Sequence, residues 1–181
     1  HETHRCISDP SVANKVKIPI EEIKSGSTAF RQAAVEGIET ERRVVELADD
    51  TLEYDYLLVG LGTQTAFFGI DGLRENAHTL KSLDDALGIY DAIVDAAAQA
   101  TQTDPAQIVI GGAGLSGIQT AGEIAKLRDE RSAPIDIHLV EGLEEILPRH
   151  DSGLQRALRD RLEARGVNIL TGKFIGEVDA E

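Results

Sequence analysis

The chain has no methionine, no tryptophan and only one cysteine in 181 residues. A single thiol, Cys6, excludes an internal disulfide and leaves no second sulfur for a zinc or redox pair. Cys6 is therefore expected to be a small, half-buried packing residue. Without methionine the sequence, which opens His1-Glu2-Thr3, offers no initiator and reads as a piece of a longer protein. Positive charge is scarce as well: 12 arginines and 6 lysines stand against 32 acidic residues, a net charge of −14 at pH 7. Phosphate backbones are bound through lysine and arginine, so nucleic acid is excluded as an expected partner. No run of about 18 apolar residues occurs, and no basic segment leads into an apolar one. Neither a membrane span nor a signal peptide is expected, and the chain reads as intracellular and cytoplasmic.

What is present is enough for a core. Hydrophobic residues make up 41% of the chain, which argues against global disorder, and the length suits one compact domain or two small ones. The acids are spread along the chain rather than gathered in a tail. Such a surface repels itself at low ionic strength and tolerates salt, which fits a halophilic protein and an ordinary acidic cytosolic one equally well.

Residues 1–29 read as loop with one helical turn near Glu21 to Lys24, given Pro10, Pro19 and the Ser25-Gly26-Ser27-Thr28 cluster. Phe30 to Ile38 and Arg43 to Leu47 then predict a small antiparallel meander. Tyr54 to Val59 predicts a strand buried on both faces, delivered into the loop Gly60-Leu61-Gly62-Thr63. Ser82 is expected to cap a helix that runs to about Ala100, with Leu83, Leu87, Tyr90, Ile93, Val94 and Ala97 on its inner face. Beyond the polar break at Thr101 to Pro105 the pattern becomes strand (Gln107 to Ile110), helix (Leu115 to Arg128) and strand (Ile135 to Val140). A helix capped by Ser152 and stopped by Gly166 follows, then a strand from Val167 to Leu170. Strand, helix, strand, helix, strand is half of a doubly wound fold.

Gly112-Ala113-Gly114-Leu115-Ser116-Gly117 fits G-x-G-x-x-G between the first of these strands and its helix. Gly112 would allow the tight turn, Gly114 the close approach of a pyrophosphate, and Gly117 the packing of helix on strand. The N–H groups at the helix start, from Leu115 and Ser116, would hold phosphate oxygens. Glu141, 24 residues past Gly117 at the end of the second strand, sits where a carboxylate receives the adenosine ribose hydroxyls. Its charge would repel a 2′-phosphate, so NADH is expected over NADPH. No nucleophile–base pair or P-loop competes with this motif, and no metal ligand set is read. His1, His4, His78, His138 and His150 are scattered, and His138, inside an apolar strand, is expected to be a satisfied packing residue.

On these residues the sequence resembles the pyridine nucleotide-disulfide oxidoreductase family of two-dinucleotide-domain flavoproteins, most closely its type II NADH dehydrogenases. Phe67-Phe68-Gly69-Ile70-Asp71-Gly72-Leu73 and Leu80 to Ala86 carry the similarity to that branch, together with Gly112 to Gly117, Ala121-Gly122-Glu123 and Val140-Glu141. The resemblance implies an α/β, Rossmann-like FAD/NAD(P)-binding fold, with a partial FAD domain containing the meander and a partial, doubly wound NADH-binding domain. It divides the chain into residues 1–80 (FAD part), 81–105 (connecting helix and linker) and 106–181 (NADH part).

The resemblance also implies NADH bound by Gly112, Gly114, Leu115, Ser116, Gly117 and Glu141, and FAD in the full-length parent. Ala34-Val35 would lie against the FAD adenine and Gly62 near the flavin pyrophosphate. The branch commonly carries a glutamate two residues after the last fingerprint glycine, near the flavin and linked to proton handling. This chain has Gln119, an amide that takes up no proton at neutral pH. Glu123, one helical turn on, is the nearest carboxylate on a similar face; an exposed or capping helix acid is the other reading of it.

The implied activity of the parent is NADH-to-flavin hydride transfer followed by electron transfer to a quinone or another small acceptor, the segment alone being inactive. A related flavin reductase with a ferredoxin, sulfide or disulfide acceptor is the competing enzyme reading, and an NADH-binding or sensing module without turnover the competing non-enzyme one. Contact with a membrane surface, on the inner face of the cell membrane, is implied only through a missing carboxy-terminal region. The isolated chain is expected to bind NADH weakly, more tightly as salt rises, and to hold no flavin.

Overall fold

The computed structural model describes residues 2–180. Their contacts form two compact units, one from Ile18 to Gln64 and one combining the residues up to Lys17 with those from Thr65 onward. In chain order the elements are α1 (Ala13–Val16), α2 (Ile20–Ile23), β1 (Val35–Glu39), β2 (Val44–Leu47), β3 (Thr51–Glu53), α3 (Leu73–Asn76), α4 (Leu83–Gln99), β4 (Ala106–Gly111), α5 (Leu115–Arg131), β5 (Ile135–Glu141), α6 (Ser152–Glu163) and β6 (Val167–Thr171). Two 3-10 turns, Thr3–Ile7 and Pro10–Val12, precede α1.

In the smaller unit β1, β2 and β3 form the antiparallel meander, in that order. It starts at Val35 rather than Phe30, because Val35 is the first residue with a register partner, Leu47. Val44, Val45 and Leu47 are buried on the central strand. The strand expected at Tyr54 to Val59 is not formed, and the segment is open to solvent, with Leu58 94% exposed. Beyond Tyr54, whose N–H donates to Arg43 O at 3.0 Å, no strand lies alongside it among the described residues, so its backbone groups have no ladder to join, whatever its apolar composition.

In the larger unit β4, β5 and β6 are parallel and adjacent in that order, with α5 and α6 as the crossovers. The register aligns Ile108 with Ile137 and Ile137 with Val167. Alternation along β5 buries Ile135, Ile137 and Leu139, which meet Ile118, Ala121, Ile124, Ala125 and Leu127 of α5 in one apolar cluster. Helix α5 runs three residues past Arg128, to Arg131, and ends where Ser132 turns left-handed (φ 50°). Helix α6 is capped by Asp151, whose side chain accepts from the N–H groups of Gly153 and Leu154, so Ser152 is its first residue and not its cap.

The residues up to Lys17 and α4 belong to the same compact unit as this sheet, across the boundary drawn at 81–105. The turn Thr3–Ile7 contacts both α4 and α5, which makes Cys6 fully buried rather than half-buried. Burial pushes its thiol pKa up, and only the thiolate is reactive. A maleimide should therefore leave the native protein unlabelled and modify Cys6 stoichiometrically once urea unfolds it, as read by mass spectrometry.

The start of α4 is a capping box. Ser82 Oγ accepts from the Asp85 N–H at 3.0 Å, and Asp85 Oδ2 accepts from the N–H groups of Ser82 and Lys81, each at 2.8 Å. Those backbone bonds hold the Asp85 carboxyl below its ordinary pKa. Its contribution is thus present above the unfolded carboxylate pKa and is lost as pH falls through the lower folded value. Ser82→Ala should cost about 1 kcal/mol in thermal unfolding at neutral pH.

Candidate functional site

Strand β4 delivers the chain into the glycine loop, and three backbone anchors fix that loop. The Gly112 N–H donates to Val140 O at 2.7 Å, the Ala113 N–H donates to Glu141 Oε2 at 2.7 Å, and the Leu147 N–H donates to Ala113 O at 2.9 Å. Gly112 has φ +95°, a conformation that penalises any side chain.

Gly114 and Gly117 differ in what surrounds them. A Cβ at Gly117 would lie 1.8 Å from Gly112 O and 3.5 Å from Leu139 Cδ1, so the missing side chain lets α5 sit directly on the loop and the strand. A Cβ at Gly114 would meet nothing within 4 Å. Gly114 is the N-cap of α5 and no side chain caps the helix, so the first-turn N–H groups, from Leu115 onward, lack side-chain partners. Leu115 and Ser116 are exposed. Open space in front of an uncapped helix start suits a negatively charged oxygen, which the helix dipole also favours.

Glu141 ends β5 half-buried beside this loop. While Oε2 takes the Ala113 N–H, Oε1 takes the Leu143 N–H at 3.0 Å, and the Glu141 carbonyl receives the Lys173 N–H at 3.1 Å. The glycine loop and Glu141, expected to act together from sequence, are thus joined through the Ala113 N–H.

The remaining candidates lie elsewhere. Gln119 is exposed on α5. Glu123 is neither an exposed acid nor a cap: it is half-buried and bonded to Ser8 Oγ, which also receives Lys126 Nζ at 3.4 Å. Ser8 is itself buried, and nothing local in sequence pairs it with a helix 115 residues away. His138 has both ring nitrogens engaged, Nε2 with Gln107 Oε1 at 2.8 Å and Nδ1 with Asn168 Nδ2 at 3.1 Å, in a row across β4, β5 and β6. In the smaller unit, Val35 lies 46% exposed at the start of β1, and Gly62 sits in an exposed irregular segment with no atom within 4 Å of a Cβ built on it. No hydrogen bond joins Val35 to Gly62.

The model of the pyridine nucleotide-disulphide oxidoreductase family matches residues 3–181. The type II NADH:quinone oxidoreductase Ndh of Mycobacterium tuberculosis is 31% identical over 154 residues, covering 75% of this chain and 33% of that protein. The type II NADH:quinone oxidoreductase of Staphylococcus aureus is 27% identical over 188 residues, covering 92% and 47%. Among solved structures, NDH2 from Plasmodium falciparum in complex with RYL-552 superposes with a TM-score of 0.75 at 18% identity, covering 97% of this chain and 41% of that one. The chain spans less than half the length of each.

Proposed function

This chain belongs to the pyridine nucleotide-disulphide oxidoreductase family, and we propose that it is the middle portion of a type II NADH dehydrogenase whose glycine loop binds NADH. The observation that carries the reading is the Glu141 carboxylate held on the Ala113 amide at 2.7 Å, which couples the ribose acid to the phosphate loop.

Within this chain the division of labour is positional. The uncapped amides of Leu115 and Ser116 hold the pyrophosphate, Gly114 leaves it room, and Gly112 and Gly117 fix the loop that presents those amides. Glu141 accepts from the ribose hydroxyls. In the parent, FAD supplies the hydride acceptor and a quinone the final electron acceptor. Flavin binding is assigned to the full-length parent; in this chain Val35 and Gly62 are both exposed. Peripheral attachment of the parent to a membrane is part of the proposal; among the described residues no helix is long and apolar enough to cross one. The salt response is part of the proposal too, because an anionic cofactor must approach a chain of net charge −14.

Calorimetric titration of the chain with NADH tests the reading. Saturable binding to a protein without flavin absorbance is expected, and the Kd should fall as NaCl rises from about 0.1 M to about 1 M. Absence of saturable binding at any salt concentration would overturn the assignment of the glycine loop, and a yellow protein would overturn the statement about flavin.

A further inference from the structure

We infer that Gln155 of α6 is a positioning residue for the phosphate loop: its side-chain amide holds Leu147, Leu147 holds the Ala113 carbonyl, and that peptide group aims the Gly114 N–H at the cofactor phosphates. The inference rests on the glycine loop being the NADH site. Leu147 is left-handed (φ 47°), a conformation that a bulky residue rarely adopts, and its side chain is buried. Arg149, two residues on, is left-handed as well (φ 78°). Such backbone persists only where its surroundings over-determine it.

Hydrogen bonds supply that constraint. The Leu147 N–H donates to Ala113 O at 2.9 Å, and the Leu147 carbonyl accepts from the His150 N–H and from Gln155 Nε2, each at 3.1 Å. Of these bonds the one from Gln155 alone comes from a side chain, and α6 fixes where that side chain starts. Asp151 caps the helix one turn earlier, and the Gln155 N–H donates to Asp151 O at 3.0 Å. Gln155 is half-buried, so its amide meets less competition from water than an exposed one would.

A peptide group is planar, with its C=O and N–H on opposite edges. Ala113 O and the Gly114 N–H belong to one such group, so a carbonyl held on Leu147 turns the Gly114 N–H to the opposite side. Gly114 is exposed, and among the described residues its N–H has no protein partner. It directly precedes the uncapped N–H groups of α5, and successive free amides of this kind form an anion-binding concavity. A neutral donor is what the Leu147 carbonyl requires, and a carboxylate at position 155 would set oxygen against oxygen.

Gln155→Met, similar in length and without a donor, should keep the wild-type circular dichroism and weaken NADH and ADP-ribose binding about fivefold, the effect of one ordinary hydrogen bond. Gln155→Glu should lose at least as much at neutral pH, and either variant alone decides. Gln102→Met removes a comparable bond at the other end of α5, Gln102 Nε2 to Ser132 O at 3.3 Å, and should stay within about twofold of wild type. In proton–nitrogen correlation spectra Gln155→Met should move the Gly114 and Leu147 amide resonances and leave those of Ser82 and Asp85 in place, a pattern that general loosening of the fold would not give. Wild-type affinity for both ligands in either folded Gln155 variant, or an unmoved Gly114 resonance, overturns the role of Gln155 while the loop assignment stands. A wild-type chain that binds neither NADH nor ADP-ribose overturns both.

Discussion

Gly117→Ala should lower the unfolding temperature and abolish NADH binding together, whereas Gly114→Ala, the same change three residues earlier, should spare stability and impair binding alone. The added methyl at Gly117 is directed at Gly112 O, 1.8 Å away. That carbonyl belongs to a loop held by Val140, Glu141 and Leu147, so it has no slack, and α5 must lift from β4. Overpacking of this kind costs about 1–3 kcal/mol, against which the helix propensity gained on replacing glycine with alanine returns about 1 kcal/mol at most. A net loss near 1–2 kcal/mol corresponds to a fall of about 2–8 °C for a domain of this size.

At Gly114 the methyl meets nothing within 4 Å and φ is −74°, so stability should change by less than about 1 kcal/mol. The space it fills is where a phosphate oxygen would approach the uncapped amides, and NADH affinity should drop at least about tenfold. Differential scanning calorimetry and NADH titration of the two variants read both effects. Wild-type NADH affinity in Gly114→Ala would remove the phosphate from the loop.

The parts of the fold legible in the sequence are those whose signals are local. Ser82 and Asp85 lie three residues apart and satisfy each other, so the start of α4 stands where the capping pattern puts it. The β4–α5–β5–α6–β6 order follows from short apolar runs alternating with amphipathic ones, and the parallel sheet realises it. Where the reading misses, the deciding partner is remote or an equivalent residue is adjacent. Tyr54 to Val59 has the composition of a buried strand, but a strand exists only with a neighbour to bond. Cys6 is covered by two helices that begin more than 75 residues later. Asp151 and Ser152 are both good caps, and composition does not choose between them.

The candidate site divides in the same way. Gly112, Gly114, Gly117 and Glu141 are legible because strand ends and helix starts fix their spacing. The clamp on Ala113 is not, since it comes from the Leu147 amide in a loop with no periodic signal. Glu123 illustrates the converse error: its place on the face of α5 is readable, but its partner Ser8 is set by how the amino-terminal turn docks.

Glu141→Gln should erase most of a preference for NADH over NADPH. The Glu141 carboxylate is pinned by two amides, Ala113 N–H at 2.7 Å on Oε2 and Leu143 N–H at 3.0 Å on Oε1, so it cannot swing away from an incoming 2′-phosphate without abandoning both. At a separation of about 4 Å and an effective dielectric of 20, each unit of phosphate charge meets about 4 kcal/mol of repulsion. Screening by salt reduces that, leaving wild-type discrimination of roughly a hundredfold. Glutamine keeps the shape and one acceptor oxygen but carries no charge. Its amide nitrogen must face one of the two N–H donors, which leaves that donor unsatisfied at a cost of about 1–3 kcal/mol if it stays buried. NADH affinity should therefore fall several-fold while NADPH affinity holds or rises, bringing the ratio of the two within about fivefold of unity. Glu141→Ala removes both carboxylate bonds, including the one that anchors the loop at Ala113, and should lose more NADH affinity than Glu141→Gln, with a similar loss of discrimination. Titrations with both cofactors at one ionic strength measure the ratio. A hundredfold preference retained in Glu141→Gln would show that the fixed charge at the end of β5 is not what rejects the 2′-phosphate.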